Sequence, residues 1–349
     1  ADSMERVIRE NALSERVDPE YDDETGQLAQ TFNVMLQQLD DAQQLVKQEA
    51  TKAVLARRRE RRLRSVFQKY VPAEVVESVS ATEEVELDPI ARAACVLSSD
   101  IRGFTTISSS MHPEDLVNSL NRYFELMVAP ILQRDAFIDK YIGDAIIAVF
   151  GGSRSPSPDF HLRSVEAALD MVDAIEAFNA DQHRRGLPEF HHGVGINYGA
   201  VTIGNVGTQR KMDYTVIGPN ADLASTLEAL TKDYAQPIVI SESLQRKIDG
   251  LYPWRLLDMV ATRDRPDGIR IYSVARMLND AEQEAWGIHN QAMTAYFNQQ
   301  FAQATELFNR VTGILPKDRA STLIRQRCEL LLQDGVPEGW NGAAAIGVH

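Results

Sequence analysis

Two aspartates, Asp100 and Asp144, have the residue type and the sequence setting that point most directly to chemistry in this 349-residue chain. Asp100 closes the apolar run AACVLSSD and precedes a turn with glycine and threonine, where backbone N–H groups can face an anion. Asp144 follows Gly143 between two short apolar runs, which predicts the tip of a two-residue hairpin. Taken separately, each aspartate also fits an ordinary strand end or turn.

The segment between the two aspartates predicts the element that brings them together. Apolar residues recur there at spacings of three and four, which is typical of one helix face. These residues are Leu116, Leu120, Phe124, Met127 and Ile131. A strand, a returning helix and a hairpin would place both carboxylates side by side, where a cation is needed if both stay ionised. Magnesium or manganese is the expected hard cation, and two purely structural aspartates are the alternative.

Four segments in order resemble the catalytic domain of class III nucleotidyl cyclases. They are DIRGFTTIS, DKYIGDAIIAVFGG, GVGINYGAVTIGNVG and YTVIGPNADLASTLE, and the resemblance extends over residues 91–274. It implies an α+β domain with a ferredoxin-like sheet that works as a head-to-tail dimer, with the nucleotide between subunits. We interpret the glycines of the third segment as a tight, close-packed hairpin, because the pattern continues as a strand and opens no helix.

The resemblance also implies a reaction and a metal site. The family converts ATP to cyclic AMP and pyrophosphate by attack of the ribose 3′-oxygen on the α-phosphorus. Asp100, Asp144 and the main-chain carbonyl of Ile101 match the residues that bind two Mg²⁺ or Mn²⁺ ions. The β- and γ-phosphates would meet three backbone N–H groups, those of Gly103, Phe104 and Thr105.

Further positions that match the family motifs indicate the base and the phosphate contacts. Lys140 stands where adenylate cyclases place a lysine that donates to adenine, and Thr215 stands at the companion position. This pair favours ATP over GTP, although Lys140 could also be a plain exposed lysine. Arg263 or Arg265 would reach the triphosphate, where the family usually has lysine.

Two positions depart from the family pattern. Asp222 and Thr226 occupy the places of the asparagine and the arginine that act on the transition state, and losing such a cation costs on the order of 10³ in rate. Two hypotheses remain open at this point. The chain is an adenylate cyclase with low or rescued turnover, for which Arg122 and Arg210 are candidate arginines. Alternatively, it is a degenerate cyclase domain that binds nucleotide or dimerises as a regulatory partner.

The flanking segments predict helices on both sides of the catalytic domain. A heptad pattern from Leu28 to Val46 predicts a parallel coiled coil, and its surroundings resemble the second half of a HAMP signalling module. In that family a membrane span precedes the module, so we expect the cytoplasmic portion of a membrane-anchored receptor. The predicted divisions are a partial HAMP module and coiled-coil start (1–47), a helical transducer and linker (48–88), the catalytic domain (89–278) and a C-terminal helical cap with a tetratricopeptide-like pair (279–349).

Composition limits the classes of partner. The net charge of −14 argues against a general nucleic-acid or anionic-membrane binder. The family resemblance implies ATP and a second copy or a related chain as partners. A homodimer is the simplest assembly, and a heterodimer would retain one working site. The two cysteines give no metal-ligand spacing and predict buried thiols, and no run has the length of a transmembrane helix.

Overall fold

The computed structural model describes residues 16–18, 24–67, 89–153, 156–208, 211–263 and 265–345. The chain divides into two compact units, residues 1–71 and 72–349. In the first unit a helix, α1, runs from Glu24 to Phe67. Large apolar residues of the predicted heptad are exposed along it, including Leu28 and Val46. Apart from residues 16–18, the rest of the predicted HAMP segment lies outside the described residues, and so do residues 68–88 of the predicted transducer and linker.

The second unit is built on one sheet, which has nine strands within the described residues. The strands are β1 (Ile90–Ile101), β2 (Ala136–Ile142), β3 (Ala145–Phe150), β4 (His192–Thr208), β5 (Lys211–Ile217), β6 (Ile238–Ser241), β7 (Trp254–Thr262), β8 (Arg265–Val274) and β9 (Ala344–Ala345). Their order is β2-β3-β1-β4-β6-β8-β7-β9, with β5 paired to β4. The helices are α2 (Phe104–Ser110), α3 (Pro113–Leu132), α4 (Phe160–Arg184), α5 (Pro219–Tyr234), α6 (Glu242–Gln245), α7 (Asp280–Phe297), α8 (Phe301–Ile314) and α9 (Arg319–Asp334).

Helices cover both faces of this sheet because neighbouring residues of β1 point to opposite sides. Leu97 belongs to the core that α3 and α4 complete, in which Tyr123 and Phe178 are also buried. Val96 belongs to a second core, which Ala224 of α5 closes from the other face. This arrangement confirms the predicted α+β class and ferredoxin-like sheet.

One local prediction was wrong. The glycines of GVGINYGAVTIGNVG form no hairpin, because β4 runs as one strand from His192 to Thr208. Gly193 and Gly195 instead allow α5 to lie directly on the strand. A Cβ at Gly193 would fall 2.0 Å from Thr231 Oγ1, and one at Gly195 would fall 2.2 Å from the backbone nitrogen of Glu228. Glycine is therefore required at both positions for the helix to pack closely on the strand.

The C-terminal residues form the three helices α7 to α9, which pack on the sheet and on each other. A capping box of Asn279 and Glu282 fixes the start of α7. Trp340 packs edge-on against Tyr296 and Phe301, and β9 pairs with β7, although the sequence of this tail carries no structural signal. The described part of the tail is therefore ordered against the helices and the sheet.

Two further expectations concern the cysteines and the membrane. Both cysteine thiols, Cys95 and Cys328, are buried and unpaired, as predicted. Among the described residues, no helix combines the length and the apolar character that crossing a bilayer requires.

Candidate active site

The structure brings Asp100 and Asp144 together. Asp100 lies near the end of β1, and Asp144 lies in the turn after Gly143, whose φ of 64° suits glycine at this position. Antiparallel pairing of β1 with β3 sets Ser99 beside Ile146, so the strand end adjoins the hairpin turn. The Ile101 N–H donates to Asp144 Oδ2 at 3.2 Å. Burial, a hydrogen bond with Asp144 and the charge of Asp144 raise the pKa of Asp100 to about 6.

This donor set fits a divalent cation. Two carboxylates at hydrogen-bonding distance repel each other when both are ionised, and a cation between them removes that cost. In the described part of the chain, no group of three His, Cys, Asp or Glu side chains is placed to form a complete metal cage. Mg²⁺ sites of the nucleotide-binding type have this character, because one or two carboxylates hold the ion together with substrate phosphates and water.

The turn after Ile101 presents backbone N–H groups next to Asp100 and Asp144, which together form the acid pair. Gly103 has φ 68° and directly precedes α2. The first N–H groups that bond within this turn are those of Thr106 and Ile107, and both donate to the Gly103 carbonyl. The amides of residues 103–105 precede that first bond, as at any helix start. They therefore have no acceptor within the helix, which the predicted phosphate contacts require.

Lys140 and Thr215, predicted to select the base, are in direct contact. Lys140 Nζ donates to Thr215 Oγ1 at 2.7 Å, which joins β2 to β5. Sequence reasoning missed the residue that holds this pair, Asp139, whose side chain is fully buried. Its carboxylate accepts from Thr215 Oγ1 at 3.1 Å and from the Val216 N–H at 3.1 Å. Asp139 thus fixes the position of both side chains.

The two candidate phosphate arginines differ in their surroundings. Arg265 donates from Nη2 to Asn220 Oδ1 at 2.7 Å, which ties the start of β8 to the first turn of α5. Asn220 is itself held by Asn197, whose Nδ2 donates to the Asn220 carbonyl at 2.8 Å. Arg263 is exposed in the turn between β7 and β8. Arg265 is therefore positioned by the protein, and Arg263 is free to reach outward.

The substituted positions on α5 are in contact with solvent and with their own helix. Asp222 is exposed, and the Thr226 hydroxyl donates back to the Asp222 carbonyl at 3.3 Å. In the described residues no hydrogen bond or ion pair connects either side chain to Asp100 or Asp144. Of the two candidate rescue arginines, Arg122 is occupied by an ion pair with Asp181, and residue 210 lies outside the described residues.

The inner face of α5 adds two residues that sequence reasoning missed. Glu228 faces the acid pair, and burial together with the charge of Asp100 raises its pKa to about 7, while Arg102 opposes the shift. Arg102 donates from Nη2 to the carbonyls of Thr231 and Gln236. The segment RGF, directly after the strand that ends at Ile101, is the one signal that could have indicated this anchor. Arg102 fixes the turn next to the acids against the C-terminal end of α5.

Comparison with known proteins agrees with this geometry. Residues 89–253 match the family described as "Adenylate and Guanylate cyclase catalytic domain", and residues 6–41 match the HAMP domain. The structure resembles that of the guanylyl cyclase Cya2, with a TM-score of 0.50 and 30% identity over 56% of this chain and 97% of the other. The chain therefore belongs to the class III nucleotidyl cyclases.

Two further relatives are adenylate cyclases by name. The adenylyl cyclase CyaB from P. aeruginosa has a TM-score of 0.51 and 29% identity over 56% of this chain and 99% of that chain. An adenylate cyclase of Anabaena cylindrica is 35% identical over 60% of this chain and 42% of its own length. The chain spans less than half the length of the curated relatives it matches.

Proposed function

We propose that this chain is an adenylate cyclase that converts ATP to cyclic AMP and pyrophosphate between two subunits. The contact of Lys140 with Thr215 carries the choice of ATP. The lysine ammonium is a donor for a ring nitrogen, and the threonine hydroxyl can accept from the exocyclic amine of adenine. The alternative base, guanine, presents an acceptor where adenine presents that amine, so the same pair fits it less well.

The acid pair supplies the charge that the reaction needs. The family uses divalent metal, and the carboxylates of Asp100 and Asp144 with the carbonyl of Ile101 would hold two Mg²⁺ or Mn²⁺ ions. The chemistry that such metal supplies when bound is a lower pKa for the attacking hydroxyl and neutralisation of the leaving phosphates. The ribose 3′-oxygen forms its bond to the α-phosphorus as the bond to pyrophosphate breaks, and the hydroxyl proton passes to solvent water.

The remaining residues bind and orient the triphosphate. Backbone N–H groups of Gly103, Phe104 and Thr105 would donate to the β- and γ-phosphates. Arg265, held by Asn220, is the basic residue whose position suits the phosphates better than that of exposed Arg263.

A dimer is part of the proposal because, among the described residues, neither Asp222 nor Thr226 bonds to Asp100 or Asp144 of the same chain. Asp222 and Thr226 of one subunit would face the acid pair of the other, in a homodimer or in a heterodimer with a complete relative. The apolar residues that are exposed on α1 can pack against the same helix of a partner subunit. With the HAMP match, this makes the chain the output part of a signalling receptor.

A second candidate function rests on the chemistry of those same positions. Asp222 adds a carboxylate where a polyanion must bind, and the Thr226 hydroxyl is already bonded within its helix. A chain of this kind would bind metal and ATP without turnover and would regulate a complete partner.

One assay separates the two functions. Purified protein is incubated with Mn²⁺ and either ATP or GTP, and cyclic nucleotide is measured alongside nucleotide binding. The enzyme hypothesis predicts cyclic AMP from the wild type, none from Asp144→Asn, and an unchanged rate from the exposed control Asp334→Asn. Binding without product, with product restored by Asp222→Asn and Thr226→Arg together, would identify the regulatory partner instead.

A further inference from the structure

A cavity of about 560 Å³ lies between the cyclase sheet and the C-terminal helices, apart from the acid pair. Its walls come from the end of β8, the start of α7 and the turn between α8 and α9. Most of the lining is apolar and includes Ala275, Leu278, Trp286 and Leu315. Volume and lining both fall in the range of sites for small organic ligands, which are mostly apolar with a few polar groups.

A buried arginine forms the polar end of this cavity. Arg255 of β7 is 2% exposed, and its Nη2 donates to Asp318 Oδ1 at 2.7 Å. The centre of its guanidinium lies 5.0 Å from the ring centroid of Trp286. Its Nε and Nη1 groups have no hydrogen-bond partner among the described residues. Buried N–H groups without an acceptor are costly, so Arg255 retains donor capacity for a further ligand.

The acids near Arg255 are engaged by the protein itself. Asp318 caps α9 by accepting from the Ser321 N–H at 3.1 Å, in addition to its bond with Arg255. The Glu282 carboxylate accepts from the Asn279 N–H at 3.0 Å in the capping box. Lys317 lines the same cavity, is exposed, and forms no ion pair with the described acids. Arg255 and Lys317 thus both line the cavity, together with the carboxylates of Asp318 and Glu282, which are engaged at helix starts.

We propose that this cavity binds a small organic monocarboxylate with an apolar body. The carboxylate would lie against Arg255 and Lys317, and the body would pack on Leu278, Trp286 and Leu315. A bidentate acceptor matches the planar guanidinium better than a spherical anion does. This site goes beyond the proposed cyclase function, because binding there requires neither ATP nor the acid pair.

The position of the cavity connects it to the acid pair through one residue. Gln236 lines the cavity, and its side-chain oxygen accepts from Ser273 Oγ at 3.0 Å. Its main-chain carbonyl accepts from Arg102 Nη2 at 2.8 Å, and Arg102 directly follows Ile101. A ligand in the cavity would therefore contact Gln236, which is hydrogen-bonded to Arg102, the residue that holds the turn after Ile101 in place.

The test uses the full chain without nucleotide and three probes, by isothermal titration calorimetry. Octanoate carries both required groups, octanol lacks the charge, and acetate lacks the apolar body. We expect saturable binding of one octanoate per chain, with octanol and acetate at least about tenfold weaker. Absence of saturable octanoate binding would overturn the proposal, and so would equal binding of octanol, which would mean that the cavity is merely an apolar cleft.

Variants then locate the bound octanoate. Lys317→Ala should weaken octanoate about three- to tenfold by removing an exposed cation, and the exposed control Lys232→Ala should leave it unchanged. Ala275→Leu adds apolar bulk to the cavity wall and should weaken octanoate by about tenfold while the circular dichroism spectrum stays that of the wild type. Full octanoate affinity in Lys317→Ala would contradict the proposal even if Ala275→Leu failed to fold.

Discussion

Substitution of Gly195 by alanine tests the contact between β4 and α5. The added Cβ would lie 2.2 Å from the Glu228 nitrogen and 2.3 Å from the Ala224 carbonyl oxygen. Both are backbone atoms of α5, so no side-chain rotation can relieve the clash. Ordinary contact for a Cβ begins at 3.4 Å, and the helix must therefore retreat by about 1 Å.

Two measurable losses follow from that displacement. Overpacking of this kind costs about 1–3 kcal/mol of unfolding free energy. Since α5 carries Asp222 and Thr226, a shift of about 1 Å would also lower turnover by about 10²-fold if these positions face the substrate. Gly195→Ala should thus lose both stability and activity.

The assay is urea unfolding of Gly195→Ala together with its rate of cyclic AMP formation. Gly287→Ala is the matched control, because this glycine lies in α7 with open space around its Cβ position. Alanine there should raise stability by about 0.5–1 kcal/mol through helix propensity. Wild-type stability and rate in Gly195→Ala would refute the view that this glycine is required for helix contact.

Three further predictions concern the base, pH and the C-terminal helices. Lys140→Glu should lower kcat/KM for ATP by about 10- to 150-fold relative to GTP, because a hydrogen bond from a charged group is lost. Burial, together with the nearby charge of Arg255, lowers the pKa of His289 in the folded protein to about 3. As the pH falls below 6.5, His289 is therefore protonated in the unfolded chain but stays neutral in the folded protein. Its contribution to the unfolding free energy should fall by about 1.4 kcal/mol per pH unit towards pH 3, as acid-range denaturation curves would show. Arg327→Met should destabilise the protein by about 3–5 kcal/mol in urea unfolding, because it leaves the fully buried Asp258 carboxylate without its cation.

Each of these predictions has its own control. Lys232→Glu changes an exposed lysine elsewhere and should leave the ratio of kcat/KM for ATP to kcat/KM for GTP unchanged. An unchanged ratio in Lys140→Glu would exclude Lys140 from base selection. His289→Gln should show a shallower pH dependence, and an identical slope would contradict the assignment to this histidine. Arg325→Met removes a partly exposed pair with Glu329 and should cost at most about 1 kcal/mol. Equal losses in the two arginine variants would refute the role of burial.

The sequence predicts the parts of the site that local patterns determine. A strand that ends at Asp100 and a glycine-led turn before Asp144 follow from alternation and turn chemistry. In the structure the strand ends one residue later, at Ile101, and the turn lies between β2 and β3. Motif positions indicated Lys140 and Thr215 as the residues that select the base, and the structure shows these two side chains in contact at 2.7 Å.

Features that depend on tertiary contacts were missed. Nothing local distinguishes glycines of a turn from Gly193 and Gly195, whose role becomes visible only when α5 lies across the strand. Asp139 resembles any acid beside a lysine until its burial and its bonds to Thr215 and Val216 are seen. The same applies to β9, where a tail rich in glycine and alanine pairs with a strand more than 80 residues earlier in the chain.

Binding of Mn²⁺ in the presence of ATP tests the central claim, that Asp100 and Asp144 together hold divalent metal for the triphosphate. Electron paramagnetic resonance would follow the free Mn²⁺ signal during titration of the wild type, Asp100→Asn, Asp144→Asn and the exposed control Asp334→Asn. We expect ATP-dependent Mn²⁺ binding in the wild type and the control, and its loss in both acid-pair variants. Undiminished Mn²⁺ binding in Asp100→Asn and Asp144→Asn would contradict it.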